Sequence, residues 1–302
     1  MKYSQFLSRI KPFMLPLAML IGIVCHNVIG YVSFLAPYLI FVMLFVTFCR
    51  INPRHIHVGR LSVWCMIVQL VGSALSYFAC LPLGNEIAQG VMICFFCPTA
   101  TAAPVITGML GGSVERVATY SLVSNIIVAL LAPPVFSVIG TEGVDLLGAT
   151  LRIAGSVIPL IIVPLLCAML LRKVSGKMCN AVATHQGASF YLWSVSLIIV
   201  VGNAVSFVMK EPPSMIMPMI LLAFLAGVAC VIQFWIGRKI GAKSGDKIAG
   251  AQGLGQKNTV LAIWMALTYL NPLASIAPAA YIAWQNTINS LQLYVKSRKE
   301  NK

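Results

Sequence analysis

The sequence predicts an all-α polytopic membrane protein with ten transmembrane helices. Hydrophobic residues make up 59% of its 302 residues and charged residues only 9%, whereas about a quarter of the residues in an ordinary soluble domain are charged. The mean hydropathy is +0.91. The apolar residues form runs of roughly 17 to 27 residues, which is long enough to cross about 30 Å of hydrocarbon. These runs lack the strict alternation of barrel strands, so helices must satisfy their backbone groups.

The ten predicted spans follow one another with short polar connections. In chain order they cover residues 12–30, 33–49, 60–81, 85–111, 114–139, 146–171, 188–209, 214–237, 246–270 and 273–295. The first run follows Lys2, Arg9 and Lys11 but has no clear small-residue cleavage site, so we interpret it as a span and not as a signal peptide. We therefore treat residues 1–302 as a single membrane domain.

The distribution of basic residues predicts the orientation of the chain. Of the 21 lysines and arginines, all except Arg152, Lys210 and Lys257 fall in the two tails and in the even-numbered loops. The positive-inside rule places that side in the cytoplasm. We expect both termini to be cytoplasmic, in a plasma membrane of the bacterial inner-membrane type. Loops that face anionic lipid account for the net charge of +14, so the bilayer is the expected partner and no nucleic acid is needed.

Two spans contain helix breakers at mid-depth. In the fourth span, Pro98 and Pro104 enclose two threonines. In the ninth, Gly253 and Gly255 precede a polar segment that contains Lys257. A broken backbone survives in a membrane only where it is buried in protein or lines a wet cavity, and its helix ends are suited to bind ions or charged substrates. Because the two spans lie five apart, they run in opposite directions. This predicts two inverted repeats, residues 12–139 and 146–295, although two kinked packing helices remain the alternative.

Lys257 is the one charged residue that falls deep inside a span, and no acidic residue accompanies it. A lysine at the bilayer centre costs roughly 2.5–3.5 kcal/mol on insertion scales, which makes it a functional-site hypothesis. Intramembrane polar residues concentrate in spans three, four, five, nine and ten, which indicates a polar core beside a more apolar panel. The candidate binding residues are Gln69, Thr99, Thr101, Ser121, Asn125, Gln256, Lys257, Asn258, Thr259, Gln285 and Asn286. Amide side chains within spans also form hydrogen bonds between helices, so each candidate residue has a structural role as its alternative.

Other classes of function find little support in the sequence. It contains no His-Glu-x-x-His motif, no paired intramembrane aspartates and no phosphate-binding loop, so we do not expect an enzyme. Cys94 and Cys97 have metal-ligand spacing but lack a second pair, and we expect no metal or other cofactor. A non-transporting receptor or scaffold is the alternative from another class.

Three segments resemble the bile acid:sodium symporter family. The segment Cys-Pro-Thr-Ala-Thr-Ala-Ala at 97–103 is similar to the family's Cys-Pro-Gly-Gly-Thr-Ala-Ser. The segments at 255–259 and 284–286 are similar to its Gly-Met-Gln-Asn-Ser and Trp-His-Asn. With Gln69 and the ten spans, the resemblance covers essentially the whole chain. It implies a core of spans 3–5 and 8–10, a panel of spans 1, 2, 6 and 7, and broken spans 4 and 9 that cross at the centre. It also implies transport of an organic anion, bile acid-like or a small carboxylate, by alternating access.

The sequence departs from this family at the sodium ligands. Ala103 and Pro104 stand where the family has Ser and Asn, the stretch 252–254 has no glutamate, and Lys257 aligns with a glutamine. An ammonium and a sodium ion in one oxygen cage repel each other by several kcal/mol at a modest effective dielectric. We therefore hypothesise that Lys257 replaces one sodium ion and reaches Gln69 and freed carbonyl groups.

Sodium coupling then becomes doubtful, and a uniporter, an exchanger or a carrier coupled to H+ is expected. A buried lysine without a carboxylate partner is able to release its proton. Two alternatives remain open. In one, the protein is a sodium-coupled symporter and Lys257 pairs with the carboxylate of the substrate. In the other, Lys257 extends into a wet cavity and has no role.

Overall fold

The computed structural model describes residues 14–50, 58–100, 102–140, 146–184, 186–210 and 212–300. Within these ranges the chain is helical, with thirteen α-helices of eight residues or more and short 3-10 turns between some of them. The helices are α1 (Met14–Val24), α2 (Ala36–Arg50), α3 (Arg60–Cys80), α4 (Asn85–Phe96), α5 (Ala103–Leu110), α6 (Val114–Gly140), α7 (Leu146–Val174), α8 (Gly176–Thr184), α9 (Gln186–Val208), α10 (Ile216–Lys243), α11 (Lys247–Gly255), α12 (Thr259–Tyr269) and α13 (Ile276–Glu300).

Five helical stretches in the described residues are long and apolar enough to cross a membrane by themselves. They are His26–Cys49, Arg60–Leu83, Val114–Gly140, Ile153–Val174 and Pro213–Lys243. Ser194–Phe207 and Thr259–Tyr269 are shorter apolar helices. Large apolar side chains such as Leu75, Phe78 and Phe224 are exposed on the outside of the bundle, where a lipid surrounding accepts them. The chain is therefore a polytopic helical membrane protein.

The helices follow the predicted spans over most of the chain and differ from them in two places. The first two spans are joined without a polar loop, because a short helix and the 3-10 turn Gly30–Leu35 lead directly into α2. Helix α8 was not expected, since it is too short and too polar to register as an apolar run. It packs on α2 and α7. The fourth and ninth spans are each divided into two helices, as their helix breakers predicted. Residues 1–13, 51–57, 141–145 and 301–302, which carry part of the charge pattern, lie outside the described residues.

Close contact between α10 and α11 brings the ninth span back into the bundle. A Cβ atom added to Gly250 would lie 2.1 Å from the carbonyl oxygen of Gly237 and 2.7 Å from the Cα of Gly241. Only glycine permits two backbones to approach this closely. At the start of α11 the carboxylate of Asp246 accepts bonds from the amides of the first turn, and it also accepts one from the Ser113 amide at 2.6 Å. This N-cap fixes the direction in which α11 enters the core.

The two halves of the ninth span have different neighbours. Helix α12 packs on α2, α4, α6, α9 and α13, whereas α11 packs on α3, α5, α6 and α10. Helix α5 likewise packs on α6, α11 and α13. The two halves of the ninth span therefore contact largely different parts of the bundle.

Candidate functional site

The two helix breaks lie side by side at the centre of the bundle. Helix α4 ends at Phe96 and α5 begins at Ala103, while α11 ends at Gly255 and α12 begins at Thr259. Thr99 and Lys257 form an isolated antiparallel bridge. The Ala100 amide donates to the Gln256 carbonyl at 3.0 Å, and the Asn258 amide donates to the Pro98 carbonyl at 2.8 Å. The breaks thus supply one another with the backbone partners that their helices no longer provide.

Proline and asparagine explain the ends of these helices. Pro98 disfavours the helical conformation of the residue before it, and Cys97 accordingly has a ψ of 142°. Pro104 lies in the first turn of α5, where a missing N–H group leaves no bond unmade. The side chain of Asn258 caps α12 by accepting a bond from the Leu261 amide at 3.3 Å.

Two glycines do not have the role that the sequence predicted for them. Gly253 and Gly255 lie inside α11 and not in the break, and neither has a positive φ. Both glycines allow aromatic rings of neighbouring helices to pack closely against α11. A Cβ atom on Gly255 would lie 2.5 Å from the ring of Phe234, and one on Gly253 would lie 3.1 Å from the ring of Tyr120. Small residues at these positions let α10 and α6 close around the end of α11.

Lys257 caps the broken end of α4. Its side chain is buried, with 1% exposed. The Nζ atom donates to the carbonyl oxygens of Phe95 at 2.8 Å and Cys97 at 3.1 Å. These are terminal carbonyls of a helix, which lack intrahelical partners and carry the negative end of the helix dipole. The ammonium is therefore stabilised by backbone dipoles. The titratable groups that interact with it are thiols, and no carboxylate is among them in the described residues.

Gln69 reaches the same helix end from α3. Its Nε2 atom donates to the Phe96 carbonyl at 2.7 Å and to the Cys97 carbonyl at 3.2 Å. Its Oε1 atom accepts from the Tyr120 hydroxyl at 2.6 Å and from the Ser124 hydroxyl at 3.0 Å. Backbone carbonyls only accept hydrogen bonds, so the nitrogen of the amide must face them. Gln69 and Lys257 thus share the Cys97 carbonyl, and both present donors to it.

Other predicted site residues surround the second break. The Lys257 amide donates to Oε1 of Gln285 at 3.0 Å, and the Thr99 hydroxyl donates to the Gly253 carbonyl at 2.8 Å. The Gln256 side chain donates to that of Gln252.

The remaining predicted residues are Thr259, Asn286 and Thr101. Thr259 is buried at the start of α12. Asn286 is half-buried and lies next to Gln285 along α13, on a different face. Thr101 lies outside the described residues.

Ser121 and Asn125 form a second polar position on α6. The Asn125 side-chain nitrogen donates to the Ser121 carbonyl at 2.7 Å. The Ser121 Oγ and Asn125 Oδ1 atoms are buried and have no hydrogen-bond partner in the described part of the chain. The two residues are one turn apart, so their side chains lie on the same face of α6.

The sequence interpretation missed two tyrosines. Tyr120 orients Gln69, as described above, and the Tyr281 hydroxyl donates to the Gly255 carbonyl at 2.7 Å. Gln233 joins Tyr281 to the end of α4, since its Nε2 atom donates to the Tyr281 oxygen at 3.2 Å and to the Cys94 carbonyl at 3.1 Å. Their position at mid-span could have identified them, because most tyrosines of membrane proteins lie at the membrane interface.

Broken apolar helices with a buried, hydrogen-bonded lysine between them are the arrangement of a membrane transporter. No family model matches the chain. The chain is similar to the uncharacterized sodium-dependent transporter YocS of Bacillus subtilis (strain 168). The two are 22% identical over 255 residues, which cover 83% of this chain and 76% of that protein. This similarity supports transport as the broad function and disfavours an enzyme.

Proposed function

We propose that the protein is a secondary active or facilitative transporter of an organic anion, bile acid-like or a small carboxylate, that works by alternating access. We further propose that it is a divergent relative of the bile acid:sodium symporters, with ten spans in two inverted repeats, a core of spans 3–5 and 8–10, and a panel of spans 1, 2, 6 and 7. In this proposal Lys257 occupies the place of a coupling sodium ion. The observation that carries the proposal is the position of its Nζ atom between the carbonyls of Phe95 and Cys97.

The hydrogen-bond pattern supports a tethered cation in place of a bound one. A sodium ion at this helix end would need the oxygens that the ammonium now uses. Gln69 offers no oxygen there either, because its Oε1 atom is bonded to Tyr120 and Ser124. A second cation about 4 Å from the ammonium would be repelled by about 4 kcal/mol at an effective dielectric of 20. Lysine therefore both fills the site and excludes sodium from it.

The packing of α12 supports alternating access. Trp264 packs against a small apolar cluster of Ile29, Ala36 and Ile199, which joins α12 to the proposed panel. Helices α5 and α11, on the other side of the breaks, pack on core helices. In the proposed topology α12 lies on the outer side of the breaks, so its contacts with the panel close that side. Rocking of the core would exchange these contacts while the crossed breaks stay together.

Uptake by proteoliposomes tests the proposal. Organic acids would first be screened by thermal shift, because a ligand that binds the folded state stabilises it by mass action. Uptake of the stabilising acids would then be measured in NaCl and in choline chloride. We expect equal rates in the two salts, and a large loss of uptake in Lys257→Ala. Strict dependence on Na+ would refute the replacement of sodium by Lys257. Undiminished uptake by Lys257→Ala would refute any functional role for that residue.

A second candidate is a sodium-coupled symporter in which Lys257 pairs with the substrate carboxylate. The unpartnered oxygens of Ser121 and Asn125 favour it, as does the name of the relative, which is described as sodium-dependent. If this candidate is correct, uptake requires Na+, and Asn125→Leu abolishes uptake in NaCl. A receptor or scaffold would show no flux of any of the screened acids.

A further inference from the structure

A line of carboxamide side chains leads away from the crossed breaks between α11 and α13, which meet through side-chain hydrogen bonds. Gln285, Asn289 and Gln292 are spaced by four and three residues, so they share one face of α13. Gln252 lies on α11, and Gln256 follows the end of that helix, four residues further along the chain. The Gln252 side chain accepts from Gln256 and donates to Oε1 of Gln292 at 2.8 Å. The two helices thus face each other through amide side chains.

The line becomes more exposed towards the end of α13. Gln285, which accepts from the Lys257 amide, is 2% exposed, and Asn289 is 6% exposed. Gln292 and Lys296 are half-buried. The Nζ atom of Lys296 donates to the Met109 carbonyl at the end of α5, at 2.9 Å. The charge pattern assigns this end to the cytoplasm, so the line joins the breaks to the cytoplasmic surface.

Two buried oxygens beside this line have no partner in the described residues. One is Oδ1 of Asn289, in the middle of the line. The other is Oε1 of Gln233, whose nitrogen is bonded to Tyr281, one turn before Gln285 on α13. An unsatisfied buried amide oxygen is costly, and native proteins commonly satisfy such groups with ordered water. Each of these atoms needs one donor that the described residues do not supply.

We propose that the contact between α11 and α13 holds a chain of water molecules that carries protons between the cytoplasm and Lys257. The inference deepens the proposed function, since it names H+ as the coupling ion of a sodium-independent carrier. An ammonium has three N–H donors. In the described part of the chain, two of the three N–H groups of Lys257 have acceptors. The third N–H passes its proton to a water molecule, which leaves a neutral amine and moves the positive charge along the chain. The reverse step restores the ammonium.

The titratable groups around Lys257 are weak acids, namely thiols and phenolic hydroxyls. The thiols are those of Cys65 on α3, Cys94 and Cys97 at the end of α4, and Cys230 on α10. The hydroxyls of Tyr120 and Tyr281 face the same region from α6 and α13. None of the described neighbours is a carboxylate, so water is the acceptor that this region requires.

Cysteine labelling tests the water chain without a substrate. Asn289→Cys and Ile282→Cys would be compared in inside-out vesicles with a small cationic methanethiosulfonate reagent, with rates corrected for the parent chain and its nine native cysteines. Ile282 is a matched control, because it is fully buried on the same helix in an apolar cluster. We expect Asn289→Cys to react at least tenfold faster. Equal rates would overturn the proposal. Gln285→Cys serves as the second reporter if Asn289→Cys does not fold.

Proton movement provides an independent readout. In proteoliposomes that contain a pH-sensitive dye, substrate uptake should move H+. Asn289→Leu should reduce substrate uptake and H+ movement by at least tenfold. Its midpoint of thermal unfolding should stay at or above that of the parent. H+ movement equal to the parent's in a folded Asn289→Leu would overturn the water chain. Absence of uptake of any organic acid by the parent would instead refute the proposed function, and the labelling result would still decide whether water enters.

Discussion

Replacement of Lys257 by glutamine is expected to create sodium binding at the crossed breaks. The ammonium now donates to two terminal carbonyls of α4, at 2.8 and 3.1 Å. Glutamine would release at least one of those carbonyls and add an amide oxygen. It would also remove a repulsion of about 4 kcal/mol for a cation 4 Å away at an effective dielectric of 20. A difference of about 1.4 kcal/mol in binding free energy changes affinity tenfold, so the dissociation constant for Na+ should fall by roughly a thousandfold.

Thermal unfolding of the purified protein measures this change directly. For the parent chain we expect the same midpoint in NaCl and in choline chloride. For Lys257→Gln we expect a higher midpoint in NaCl, because a ligand at 100 times its dissociation constant stabilises the folded state by about 2.7 kcal/mol. In choline chloride this variant should be less stable than the parent, since a buried carbonyl that loses its donor costs about 1–3 kcal/mol.

Lys296→Gln is the matched control. Lys296 also donates to a backbone carbonyl at a helix end, but it is half-buried at the proposed cytoplasmic surface, and its replacement should produce no sodium effect. The reasoning is refuted if Na+ stabilises the parent and Lys257→Gln loses that effect. That result would mean that the ammonium belongs to a sodium-binding state and does not substitute for the ion.

Three further substitutions test how the crossed breaks are held. Tyr120→Phe removes one of two donors to the oxygen of Gln69, and we expect the free energy of unfolding to fall by about 1 kcal/mol in a denaturant titration. Asp246→Ala removes the cap of α11 and should cost about 0.5–2 kcal/mol in the same assay. Gly250→Ala places a Cβ atom 2.1 Å from a carbonyl oxygen of α10. The helices must then separate, at a cost of about 1–3 kcal/mol or more, which size-exclusion chromatography would detect as a loss of monodisperse protein.

Each of these substitutions has a control. A Cβ atom on Gly155, within α7, meets nothing within 4 Å, so Gly155→Ala should leave the protein folded and raise its stability by about 0.5–1 kcal/mol. Asp246→Asn keeps an oxygen that can cap the helix and should retain most of the stability. Ser124→Ala removes the weaker of the two donors to Gln69 and should cost less than Tyr120→Phe. A reversed order would mean that Tyr120 does not orient the amide.

The positions of the helix breaks could be inferred from the sequence because proline and charge act locally. Pro98 restricts its own neighbour whatever surrounds it, and a lysine in an apolar run requires burial in protein or water whatever the fold. The same local reasoning was wrong for Gly253 and Gly255. A glycine is compatible both with a break and with a close contact, and only the neighbouring rings of Tyr120 and Phe234 show that these two make contacts.

The sequence by itself determined that the chain is helical and embedded in membrane, and that Lys257 lies between polar residues at the middle of a span. These properties follow from composition and spacing, since hydrocarbon imposes the same demands on every peptide group. Only the tertiary structure decided what the ammonium binds. Its acceptors at Phe95 and Cys97 are about 160 residues away in sequence, and they are backbone carbonyls, which no residue type reveals. They become available because α4 ends at the point where the second break crosses it.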